Sequence, residues 1–143
     1  MFSSMVADEG RVLAGLVADG RLLADTRIAI DCVGAIPYLT GLPTLDRLGL
    51  TDREVARTPS IGALAAHRKR ADPSVAVERG VDLWAIDRVH LIFSTSDPAV
   101  GRLAAAWRAG GREASVAEIG DGRVLLAWLP RGAVGRLGWR TGG

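Results

Sequence analysis

Five polar side chains stand out in this chain as groups that could do chemistry: Tyr38, Asp46, Asp52, His67 and Lys69. Asp46 and Asp52 are separated across a short turn. A carboxylate pair of this kind can act as acid and base if the fold brings the two together and shifts one proton affinity. His67 opens the densest basic run, His67-Arg68-Lys69-Arg70, where a lone histidine reads as a solvated surface group. Neither a second histidine nor a cysteine or acid lies at metal-ligand spacing from it, so a metal site is not expected. Tyr38 is the only tyrosine, set among turn residues, and reads either as a packed lid or as a hydrogen-bonding contact. Asp52 also has a purely structural reading, because an acid in the first turn of a helix is favoured by the helix dipole.

Several chemistries are excluded by their missing motifs. The chain has no G-x-G-x-x-G, no Walker loop, no nucleophile elbow, no H-E-x-x-H and no C-x-x-C. No cofactor is therefore expected. The single cysteine, Cys32, cannot form an internal disulfide and reads as a small buried hydrophobe in an apolar strand.

The elements that must position these residues follow from periodicity. Residues 7 to 24 read as an amphipathic helix, with Val12, Leu13, Leu16, Val17, Gly20 and Leu23 on one face and Asp8 and Glu9 in its first turn. Residues 27 to 33 alternate as a first strand. Asp31 within it is either a satisfied edge position or a polar group at the strand's exit near a site. Gly34 to Pro43 carries two prolines and two glycines and reads as a loop. Thr44 to Leu50 reads as a short strand pairing with the first. Thr51 and Glu54 then form a capping box for a helix from Asp52 to about Arg57.

Further along, 74–80 reads as a short helix ending at Gly80. Val81–Trp84 and Val89–Phe93 read as strands, the second as the clearest interior one, with His90 as a core or edge histidine. Asp97-Pro98 is an N-cap followed by proline at the first helical position, and the helix runs to Gly110-Gly111. Residues 113–119 and 123–129 form a hairpin about Gly120-Asp121-Gly122.

Strands separated by helices predict an α/β fold: a single layered domain over 1–143 with a mostly parallel central sheet, flanking helices and a C-terminal antiparallel hairpin. Residues 1–6 and 131–143 are expected to be irregular. The length of 143 residues suits one domain, and the apolar fraction of 48% suffices for a core. The net charge is only +2, and lysine occurs once among the 18 basic residues. Without a basic stripe interleaved with aromatics, nucleic acid is not an expected partner. No apolar run reaches membrane-spanning length, and no secretion signal opens the chain, so the sequence as it stands reads as soluble and cytoplasmic.

One segment resembles a known family. IAIDCVGAIPYLTGLPTLDRLGLTDREVAR is similar to the soluble C-terminal region of polytopic bacterial C-type glycosyltransferases, the arabinofuranosyl- and mannosyltransferase-like enzymes that use polyprenyl-phosphate sugars. The resemblance rests on Gly34, Ile36, Pro37 and Tyr38, then Asp46, Gly49, Leu50 and Asp52, then Val55, Ala56 and Arg57. Looser agreement continues to about residue 94: Ala66-His67-Arg68-Lys69 keeps the family's His and Lys without its Gly, and Arg79-Gly80-Val81-Asp82 has Val for Pro.

The resemblance implies a non-catalytic accessory domain on the extracytoplasmic face of the membrane, attached to a membrane-embedded catalytic portion that this chain lacks. It implies a glycan or polyprenyl-phosphate sugar as ligand, with Asp46 and Asp52 accepting sugar hydroxyls and His67 and Lys69 meeting a phosphate or carboxylate. The other readings are a stand-alone binding or interaction module, and a small enzyme using the Asp/His/Lys cluster.

Overall fold

The computed structural model describes residues 2–31, 33–48, 53–57, 75, 78–85, 91–106, 108–109 and 111–141. Among the described residues its centre is one eight-stranded sheet. Strands β1 (Ile28–Ile30), β2 (Thr44–Asp46) and β3 (Leu83–Ala85) are parallel, with β1 in the middle. Strands β4 (Ile92–Ser94), β5 (Arg108–Ala109), β6 (Arg112–Gly120), β7 (Arg123–Pro130) and β8 (Arg140–Thr141) add by antiparallel pairing alone. The mixed α/β class and the C-terminal hairpin therefore stand as expected, but the sheet is largely antiparallel rather than mostly parallel. The reason is β7. Both of its edges are taken antiparallel, by β6 on one side and by β3 and β4 in succession on the other.

Strand β7 also explains how the core is divided. Leu125, Ala127 and Leu129 face one apolar cluster, and Val124, Leu126 and Trp128 face the other. A strand buried on both faces reads as a continuous apolar run, which is what VLLAWL is. Helices α1 (Phe2–Ala18), α2 (Ala35–Thr40) and α5 (Arg131–Val134) contribute Leu13, Ile36 and Val134 to the first cluster. Helices α3 (Arg53–Arg57) and α4 (Pro98–Ala106) contribute Val55 and Val100 to the second. The hairpin closes with Asp121 at φ 53° and Gly122 at φ 65°, the positive pair that a tight two-residue turn requires.

Three expectations about the helices and termini change. Helix α1 begins at Phe2 rather than at 7, because buried Val6 continues the stripe of Leu13 and Leu16 backwards. Asp8 and Glu9 then fall in mid-helix. Glu9 is buried and accepts the backbone N–H of Leu91 at 2.7 Å. The chain turns at Gly20 (φ 74°), so Leu22 enters the core and Leu23 is left 52% exposed.

The segment 34–43 is a helix rather than a loop over most of its length. Pro37 sits in the first turn of α2, where its missing N–H would have had no intrahelical partner. Gly41 ends α2 in the left-handed region and donates its N–H to Pro37 O. The C-terminal tail is also ordered. Ala133, Val134, Leu137 and Trp139 are buried, and Trp139 Nε1 donates to the carbonyl of Arg21 at 3.1 Å.

Helix α4 also stops at Ala106 rather than at Gly110, because Arg108–Ala109 pairs with β6 as strand β5. Expectations set by local chemistry hold. Asp97 caps α4 by accepting the N–H of Ala99 at 2.8 Å. Strand β2 pairs with β1 as expected. Arg79 N–H donates to Val75 O and Gly80 follows at φ 61°, consistent with a helical turn ending there. The expectations on Cys32, Thr51 and His90 lie outside the described residues.

Candidate functional site

The three parallel strands end together, and polar residues after parallel strands commonly converge at this end of a sheet. The register Ile28↔Thr44, Ala29↔Leu45 and Ile30↔Asp46 carries one step further to Asp31 and Arg47. Arg47 Nε lies 3.2 Å from Asp31 Oδ1, with both side chains at most 4% exposed. The Arg47 backbone N–H donates to Ile30 O at 3.1 Å, and its guanidinium donates to Ala85 O at 3.0 Å, at the end of β3. The same guanidinium stacks over the Trp84 ring, 4.4 Å from its centroid. One side chain just past β2 thus joins the carboxyl ends of all three parallel strands.

Asp46 is part of this turn. It is 1% exposed, and its Oδ1 accepts the N–H of Leu48 at 3.0 Å, the local bond of an Asx turn. Its carboxylate is directed into the chain's own turn rather than toward solvent. Tyr38 lies elsewhere: it projects from α2 and is 88% exposed. Tyr38 thus faces solvent while Asp46 is buried. Asp52, His67 and Lys69 lie outside the described residues. Among the described residues no group of histidines, cysteines and acids could hold a metal ion, and no helix is long and apolar enough to cross a membrane.

Arg47 is the residue that reasoning from sequence missed. Asp31 was legible as an interruption in an apolar strand. Its partner becomes visible only once the β1–β2 register is known, because sixteen residues of chain separate the two positions in that register. A second buried cation, Arg112, lies 5.8 Å from the Trp128 ring centroid and donates to Asp82 O. Burial lowers its proton affinity, and the charge of Asp82 partly restores it.

Fold and site together define a three-layer mixed α/β domain whose parallel strand ends are closed by a buried arginine. The chain belongs to the family described as a domain of unknown function (DUF8728), which matches residues 6–126. No curated protein and no solved structure matches it.

Proposed function

We propose that this domain is a non-catalytic accessory domain of a membrane glycosyltransferase, supporting the binding of a glycan or lipid-linked sugar during cell-envelope assembly. The observation that carries the reading is how the segment similar to those enzymes is built. Residues 28–48 form a β1–α2–β2 unit in which buried Asp31, Asp46 and Arg47 fix the turns while Tyr38 is turned outward. From Val33 to Leu45 there is no charged residue. An uncharged segment with an exposed aromatic ring suits a neutral sugar, whose C–H face stacks on the ring and whose hydroxyls meet the phenol.

In this reading the ligand contact is Tyr38. Asp46 acts through the turn it holds. The membrane-embedded portion supplies the catalytic acid, and the domain works at the extracytoplasmic face.

The test is an NMR titration with short arabinofuranose and mannose oligomers, with a glucose oligomer as control. One of the first two is expected to shift the α2 amides saturably, and Tyr38→Ala is expected to abolish the effect while leaving the fold intact. No saturable shift with either oligomer overturns the proposal.

A further inference from the structure

At the opposite, amino-terminal end of the same three parallel strands lies an open groove of about 260 Å³. Its floor is Ile28, Leu45 and Val81, all buried. Pro43 and Thr44 form a wall, and Arg27 and Arg79 reach its rim. Among the described lining residues, these two arginines are the only charged groups.

Among the described residues the Arg27 guanidinium makes one hydrogen bond, from Nη1 to Arg79 O at 2.9 Å. A guanidinium carries five N–H donors, so most of this fork remains available. The Asp82 carboxylate accepts the backbone N–H of Arg27 at 3.0 Å, and its charge acts on Arg112. Apolar floor and cationic rim together select one kind of ligand. We propose that this groove binds a small oxyanion on a short apolar stem, with Arg27 as the main anion contact and Ile28, Leu45 and Val81 receiving the stem. The volume falls just below the range of ordinary ligand sites, which favours a stem of a few carbons. This site is separate from Tyr38 and does not depend on the glycosyltransferase reading.

The experiment titrates the intact protein with hexyl phosphate, hexanoate, inorganic phosphate and hexanol, following the amides of Ile28, Leu45 and Val81 by NMR. Hexyl phosphate or hexanoate is expected to bind saturably, and whichever binds more tightly identifies the headgroup. Inorganic phosphate and hexanol are each expected to bind at least roughly tenfold more weakly, since each lacks one half of the recognition. Arg27→Ala is expected to weaken binding by roughly tenfold or more. Because Arg27 also holds the Arg79 turn, Thr44→Phe provides a second variant: it fills the groove, keeps both arginines and is expected to abolish binding. No saturable binding by either amphiphile overturns the proposal, as does binding unchanged in Thr44→Phe or inorganic phosphate binding as tightly as hexyl phosphate.

Discussion

Arg47 and Asp31 face each other one residue beyond the last paired residues of two parallel strands, 3.2 Å apart and almost wholly buried. Two charges taken out of water are stable together only while both are present. Removing one partner of such a pair costs about 3–5 kcal/mol, because the other is left buried without compensation. Arg47→Ala is therefore expected to lower the unfolding free energy by about that amount, measured by urea denaturation. The double variant Asp31→Ala/Arg47→Ala is expected to lose less than the sum of the two single variants. Additive losses would show that the pair is not coupled.

The crossing of α1 and α2 makes a second prediction. A Cβ on Gly10 would lie 2.8 Å from Leu39 Cδ1 and 3.4 Å from Ile36 Cα. Gly10→Val is expected to destabilise by about 1–3 kcal/mol, because its methyl groups crowd the Ile36 backbone and force Leu39 to another rotamer. Gly15, on the same helix, has open space around it. Gly15→Ala is expected to stabilise by about 0.5–1 kcal/mol through helix propensity alone. Thermal denaturation of the two variants separates these outcomes.

A third prediction concerns the C-terminal tail, which continues past the residues the family match covers. Trp139 is buried against the first apolar cluster and bonded to the loop after α1. Trp139→Ala is expected to cost about 3–5 kcal/mol. A loss below about 1 kcal/mol would mean that the tail is not part of the core.

Much of this architecture could be read from the chain. The cap at Asp97, the hairpin at Gly120-Asp121-Gly122 and the pairing of the first two strands were legible because each depends on local chemistry. The parallel bias was misjudged because the alternation of helices and strands says nothing about the direction in which β7 enters. Helix α2 was hidden because proline and glycine signal a break wherever they occur, yet Pro37 falls in a first turn and Gly41 at a C-terminus, where both are compatible with a helix. The tail was misread from its glycines and arginines, although Leu137 and Trp139 fill core positions. At the candidate site Tyr38 and Asp46 were singled out by type, but their separation and the burial of Asp46 are tertiary facts.

The measurement that tests the central claim most directly is the intact mass and membrane fractionation of the native polypeptide, detected with an antibody to this domain. A species much larger than the 15.1 kDa of this chain, recovered with the membranes, is expected. A soluble species of about that mass would contradict that claim and leave the domain acting alone as a binding module.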